Sequence, residues 1–328
     1  MINWGIIGCG NVTEVKSGPA FNKVKDSRLI AVMRRNASLA EDYARRHNVL
    51  RYYSNAQDLI NDKEINAVYV ATPPESHAEY AIASIKAGKP VYVEKPMALN
   101  YAECQNINKA SEKYNVPVFV AYYRRALPGF LKVKSLIENG SIGKVRFLQI
   151  QLFKYASEDE KSGKLSWRVD PKVSGGGHLF DLACHQLDYL DFIFGPIQKV
   201  KSIVLNQAGL YKAEDFVTAE FTFQNNIAGT GTWCFSVPKG CDRDTIEIIG
   251  DKGSIRFSTF DFVPIILTNE SGRQEFINER PEHVQYYLIK KIVQSLQGKG
   301  LSPSTGITAA RTSKVMDEIV AEYYKDKR

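Results

Sequence analysis

The first 122 residues alternate short apolar runs with stretches of helical period, and that alternation leaves few folds open. INWGIIG, RLIAVM, AVYVAT, PVYVEK and VPVFVAY read as buried, β-branched strands. SLAEDYARRHNV, ESHAEYAIASIKAGK and YAECQNINKASEKYN carry helical periodicity between them. Strands joined by helical crossovers pair in parallel, and a parallel sheet needs helices on both faces. The expected fold class is therefore α/β, beginning with a doubly wound domain. Asn100 is placed to cap the helix after it, and Gly88 falls where the helix before PVYVEK should stop.

From about residue 145 the texture changes. VRFLQIQLFKY, FVTAEFTF, AGTGTWCF and TIEIIG have strand character, and the partial alternation of FVTAEFTF suits an antiparallel sheet with one face on a core. IIGDKGSIRF reads as a hairpin around Asp251-Lys252-Gly253. Pro128 and Gly129 interrupt the pattern near the change, so the expected division is 1–122 and 123–328.

The chain opens with GIIGCGNV, a glycine-spaced turn between the first strand and the first helix. Gly8 and Gly10 in that setting let a backbone approach a pyrophosphate, while the first helical residues, Asn11 and Val12, offer free N–H groups. The third small position of the fingerprint is occupied by Thr13, which is expected to crowd the contact between helix and sheet. Where the second strand ends, an acid would bind a ribose 2′-hydroxyl, but the chain reads Arg34-Arg35. Paired guanidiniums suit a 2′-phosphate and can stack on adenine, so NADP is expected as the cofactor, with NAD as the alternative.

Two further motifs fall at carboxyl ends of expected parallel strands, the edge where such sheets take ligands. They are VATPPESH (70–77) and VYVEKP (91–96), and a lysine at that edge, Lys95, can donate to a ribose or substrate oxygen. A third segment, SGGGHLFDLACHQLDYLDFIFG (174–195), has three glycines that permit close approach of a ligand or an unusual backbone. The helix after them places Asp181 and His185 at i and i+4, and a carboxylate beside an imidazole orients it for proton transfer. His178 and Asp188 lie one turn to either side. A metal site would need a denser ligand pattern, and none is expected.

Composition narrows the class. A chain of 328 residues with 44% hydrophobic side chains suits two globular domains. No run reaches the roughly 20 apolar residues of a membrane helix, and MINWGIIGCG lacks the regions of a signal peptide, so a soluble, cytoplasmic protein is expected. Five scattered cysteines show no CxxC spacing, which argues against a disulfide framework and a zinc site. The net charge of +7 admits an anionic partner, but the basic residues form no long block, and no nucleic-acid partner is expected.

Together, GCGNV, ATPPESH, AGKPVYVEKP and GGGHLFDLACHQLD make the chain resemble the Gfo/Idh/MocA oxidoreductase family over nearly its whole length. The resemblance implies a nicotinamide-binding Rossmann domain followed by an α/β domain with a large, open, mostly antiparallel sheet. One face of that sheet would form a homodimer or homotetramer. The resemblance also implies that Lys95 touches nicotinamide ribose and substrate hydroxyl, that Asp181 orients, and that His185 accepts the proton. Thr72, Pro73, His77 and Glu94 would line the nicotinamide end. Arg125 in AYYRRALP matches the family's arginine, although Ala126-Leu127 replaces the Phe-Asp that usually follows. Trp167 and Arg168 of SWRVDP would form a substrate wall, and His178 stands where the family has a small or apolar residue.

The expected activity is hydride transfer between nicotinamide and a carbinol carbon of a sugar, cyclitol or related polyol. A nonsugar substrate such as a trans-dihydrodiol or bile pigment is the alternative. A nonenzymatic nucleotide sensor is a third reading, against which the Lys95, Asp181 and His185 set counts.

Overall fold

The computed structural model describes residues Met1–Lys325. The chain forms two compact units, each built from two segments: Met1–Ala126 with Pro281–Ala310, and Leu127–Arg280 with the segment beginning at Arg311. No helix among the described residues is long and apolar enough to cross a membrane.

The first unit contains β1 (Ile2–Ile7), α1 (Asn11–Val15), α2 (Gly18–Lys23), β2 (Ser27–Met33), α3 (Ala37–Arg46), β3 (Arg51–Tyr53), α4 (Ala56–Asn61), β4 (Ala67–Val70), α5 (His77–Lys86), β5 (Val91–Val93), α6 (Tyr101–Tyr114) and β6 (Val118–Val120). All six strands are parallel, in the order β3-β2-β1-β4-β5-β6. The short apolar runs form strands because both faces are buried, as the unbroken burial of AVYV, VYV and VFV shows. Asn100 does cap α6, accepting from Glu103 N at 2.9 Å, and Gly88 follows α5 with a φ of +74°. Pro19 breaks the first helix in two, because it lacks an N–H and its ring blocks the preceding turn.

The returning segment completes this unit. In the helix Tyr286–Leu296, Leu288, Ile289, Ile292 and Val293 recur at helical spacing and join one buried cluster with Trp4, Phe21, Tyr69 and Tyr92. A two-part cut at 122 places that helix with the later domain, whereas its apolar stripe closes the core of the first unit.

The second unit contains α7 (Pro128–Glu138), β7 (Val145–Tyr155), α8 (Glu158–Lys161), α9 (Pro171–Ser174), α10 (Cys184–Phe194), β8 (Ile197–Leu205), β9 (Phe216–Phe223), β10 (Ala228–Val237), β11 (Arg243–Gly250), β12 (Gly253–Phe257), β13 (Ile265–Asn269) and β14 (Gly272–Phe276). Its eight strands form a sheet in the order β14-β13-β12-β11-β7-β10-β9-β8. Every pairing is antiparallel except β7 with β10. The hairpin around Asp251-Lys252-Gly253 forms between β11 and β12. One sheet face, including Leu148, Leu152, Val217, Phe221, Trp233 and Ile248, is buried. α10 is pinned to it by Trp233, whose Nε1 donates to Gln186 Oε1 at 2.7 Å.

Candidate active site

In a parallel sheet the residues following each strand share one rim, and the strand order reverses between β1 and β4, where such sheets receive ligands. Gly8 sits at that point with a φ of +92°, and a Cβ on it would lie 2.7 Å from Thr72 Cγ2 and 2.8 Å from Thr72 N. Close approach of the β1 and β4 turns therefore demands this glycine. Gly10 is different. Its φ of −138° is open to any residue, and a Cβ there would meet only the Gly8 carbonyl oxygen, at 3.9 Å. Packing gives no reason for glycine at position 10, so the space it keeps lies before Asn11 and Val12, whose N–H groups have no acceptor within α1. This cradle fits a dinucleotide pyrophosphate.

Thr13 packs into the interior of the unit. It is fully buried, its hydroxyl donates to the Gly10 carbonyl at 2.8 Å, and its own carbonyl accepts from the Tyr43 hydroxyl at 2.8 Å. On the outer side of α1, Arg46 holds Glu14 with two hydrogen bonds of 2.8 Å, and His47 Nε2 lies 2.7 Å from the same carboxylate. The Arg46 guanidinium and the His47 ring outweigh partial burial and bring the Glu14 pKa down to about 2.

After β4 and β5 the motif residues separate into two groups. Thr72 and Pro73 are half-buried at the rim, with Thr72 Oγ1 accepting from Ser76 Oγ at 2.8 Å. His77 does not line a cofactor surface. It is fully buried, with Nδ1 2.9 Å from the Pro96 carbonyl and Nε2 2.7 Å from the Thr72 carbonyl, so it ties two rim loops together. Burial pushes its pKa down, against the pull of those carbonyls.

Glu94 also turns inward. Its Oε1 accepts from the Tyr69 hydroxyl at 2.5 Å and from Gln285 Nε2 at 2.6 Å, while Oε2 accepts from Lys95 N at 3.1 Å. The Tyr92 hydroxyl donates to Gln285 Oε1 at 2.7 Å. Burial, reinforced by the Glu94 charge, pushes both tyrosine hydroxyls well above their usual range, so they remain donors. Lys95 is half-buried at the rim, with its main chain held from beneath by that carboxylate and a cis bond to Pro96. Arg125 is buried in the same unit, where Nη1 donates to the Pro303 carbonyl at 3.2 Å. Arg34 and Arg35 are exposed after β2.

In the second unit Asp181 lies within a π turn, Leu179–Ala183, that runs directly into α10 and His185. Such a turn closes its hydrogen bonds over one more residue than an α turn, which re-aims the side chains within it and is frequent at functional sites. Asp181 Oδ2 lies 3.3 Å from Arg168 Nε, and the Arg168 guanidinium covers the exposed Trp167 ring at 4.5 Å. Trp167 is thus a surface platform and not a core residue. His185 is buried, with its ring edge toward Phe260 at 6.0 Å. Asp188 is buried and accepts from the Thr312 hydroxyl at 3.3 Å, a structural anchor.

The three glycines serve internal packing. Gly175 ends α9 with a φ of +86°, a Cβ on Gly176 would strike the Phe180 ring at 2.2 Å, and one on Gly177 would lie 2.7 Å from the Glu214 carbonyl oxygen. Gly177 N donates to Glu214 Oε1 at 2.8 Å, and the Tyr324 hydroxyl donates to Oε2 at 2.5 Å. His178 lies with Nε2 2.6 Å from Glu160 Oε1, and its ring faces Phe235 and Tyr211 at 5.3 and 5.8 Å. Burial opposes ionisation of Glu160, but His178 and the Ser157 N–H and hydroxyl hold its pKa below the usual carboxylate range. Among the described residues, no group of three or more His, Cys, Asp or Glu side chains is placed to hold a metal ion.

Gln285 and Glu160 are the site residues that motif reading passes over. Glu160 had a local signal, the capping box Ser157-x-x-Glu160 at the start of α8. Gln285 had none, because it reaches the rim from a segment far along the chain.

The oxidoreductase family with an NAD-binding Rossmann fold, Gfo/Idh/MocA, matches residues 2–122, and the C-terminal domain of the same family matches residues 130–256. The chain belongs to the Gfo/Idh/MocA family. It is accordingly an NAD(P)-dependent oxidoreductase acting on CH–OH groups. It is 42% identical over 96% of its length to oxidoreductase P35 of Formosa agariphila, covering 97% of that protein. It is 29% identical over 82% of its length to myo-inositol 2-dehydrogenase of Thermotoga maritima, covering 78% of it. The same fold is found in levoglucosan dehydrogenase in complex with NADH and L-sorbose, with a TM-score of 0.90, 23% identity, and coverage of 99% of this chain and 97% of that one.

These comparisons correct the expected NADP preference. Levoglucosan dehydrogenase is bound to NADH, and an Agrobacterium radiobacter oxidoreductase, with a TM-score of 0.86, 19% identity, and coverage of 100% of this chain and 97% of that one, is bound to NAD+. Two exposed arginines after β2 do not by themselves define a 2′-phosphate pocket, because a guanidinium stacked on adenine serves either dinucleotide.

Proposed function

We propose that this protein is an NAD-dependent dehydrogenase or reductase of a sugar, cyclitol or related polyol. The observation that carries the reading is Gly10, a glycine that internal packing does not require, at the reversal point of a parallel sheet whose β5 is followed at the rim by Lys95. Relatives that act on inositol and levoglucosan support the substrate class.

Gly8, Gly10, Asn11 and Val12 would hold the pyrophosphate, Arg34 and Arg35 the adenosine end, and Thr72, Pro73 and Lys95 the nicotinamide end. When bound, the nicotinamide supplies the carbon that accepts or returns a hydride. An alcohol that loses hydride from carbon must also surrender its hydroxyl proton, and His185 takes it. Lys95 donates to the same oxygen and favours its developing negative charge. Asp181, paired with Arg168, orients the substrate and the imidazole, and Trp167 offers an aromatic face to a ring. The outer sheet face, with exposed Phe147, Ile203 and Leu205, would pair subunits into a dimer or tetramer.

Titration of the purified protein with NADH and NADPH, followed by nicotinamide fluorescence, tests the cofactor. NADH should bind more tightly, and tighter NADPH binding overturns that assignment. NAD reduction at 340 nm with levoglucosan, myo-inositol and a panel of sugars tests the reaction, and absence of turnover across the panel overturns the substrate class.

A further inference from the structure

A cavity of about 330 Å³ lies wholly within the second unit, between the end of β7, α8 with its following loop, and the π turn. Small-molecule sites span roughly 300–1,000 Å³, so this one has room for a single monosaccharide-sized ring. Phe235 and Tyr155 give it apolar faces. Leu182, which follows Asp181, and Ser166, which precedes Trp167, also line it, so the cavity opens beside residues assigned to the substrate.

Its charged side chains are unequally partnered. Glu160 and His178 pair at 2.6 Å, with His178 backed by Phe235 and Tyr211, which fixes both as a polar wall. Lys164 pairs with Asp159 at 3.4 Å. Lys154, half-buried, makes no ion pair among the described residues. Lys154 is therefore the lining lysine with no carboxylate partner among the described residues, and it shares the cavity with a pair that can both donate to and accept from hydroxyls.

We propose that this cavity selects a sugar acid, a polyhydroxylated ring bearing a carboxylate, over its neutral counterpart. Lys154 meets the carboxylate, and Glu160 and His178 meet ring hydroxyls. A phosphate dianion would call for more than one unpartnered cation. This assignment rests on the reading that the chain acts on sugar-like carbinols, and it names the substrate class for that site.

The test is calorimetric titration of the full-length protein, with saturating NADH, against matched pairs: glucuronate and glucose, galacturonate and galactose, gluconate and sorbitol. At least one acid should bind ten-fold or more tightly than its neutral partner, and added salt should narrow the gap. Lys154→Met should abolish the preference without weakening the neutral sugar, and Lys154→Arg should restore it. Equal binding within every pair, or a preference that survives Lys154→Met, overturns the proposal. NAD reduction by the same compounds separates the two readings. An acid that binds through Lys154 but is never oxidised sinks the dehydrogenase assignment alone, and an acid oxidised with no Lys154-dependent preference sinks this one alone.

Discussion

Substituting alanine separately at Gly8 and Gly10 separates the two reasons a glycine can stand in a phosphate-binding turn. At Gly8 the φ of +92° costs an L-residue about 1–2 kcal/mol. The Cβ would also overlap Thr72 at 2.7–2.8 Å, partly against backbone that cannot swing aside. Overpacking of this kind adds about 1–3 kcal/mol, for a total near 2–5 kcal/mol. At about 2–4 °C per kcal/mol for a unit of this size, the apo protein should melt roughly 4–20 °C lower. At Gly10 the added methyl touches nothing nearer than 3.9 Å, and the backbone already suits alanine. Stability should change by less than about 0.5 kcal/mol, while NADH affinity falls ten-fold or more because the methyl occupies the pyrophosphate's place. Thermal melts of the apo variants and fluorescence titration with NADH read the two effects independently. If Gly10→Ala binds NADH like the parent, or loses as much stability as Gly8→Ala, the cradle argument is wrong.

Lys95→Met and His185→Ala should each lower turnover of an identified substrate by about a hundred-fold or more with NADH affinity little changed for His185→Ala; near-parental rates in steady-state assays would remove them from the chemistry. Gln285→Leu leaves the Glu94 carboxylate and the Tyr92 hydroxyl each short of a buried partner, so chemical denaturation should show a loss of about 1–3 kcal/mol. The Glu14 pKa is depressed from 4.5 to about 2, so its contribution is complete above pH 4.5 and is lost as the pH falls toward 2. Because Glu14 is about a third exposed, solvent screening reduces that contribution to about 1 kcal/mol. Denaturation of Arg46→Leu and the parent across that pH window should show the difference between them shrinking with acid.

Much of this architecture is written in local pattern. AVYV, VYV and VFV announce buried parallel strands because nothing polar interrupts them, and Asn100 and Gly88 mark helix ends by chemistry that acts over one turn. β8 escapes that kind of reading because IQKVKSIVL is an edge strand whose exposed lysines break the alternation. The π turn escapes it too, since LFDLA has an ordinary helical composition and nothing in its local pattern marks the extra residue per turn. Lys95, Asp181 and His185 stand out by motif. Their supports, Gln285 and Glu214, come from distant segments, and only the folded chain brings them to Glu94 and Gly177.

The helix Tyr286–Leu296 also sets the order of events during synthesis. When residue 126 leaves the ribosome, Trp4, Phe21, Tyr69 and Tyr92 still lack the apolar stripe that covers them in the finished protein. About 170 more residues must be made first, on the order of ten to thirty seconds at typical translation rates. During that interval the nascent nucleotide-binding half carries an uncovered aromatic surface, and the intervening sheet can be complete before its older neighbour is sealed.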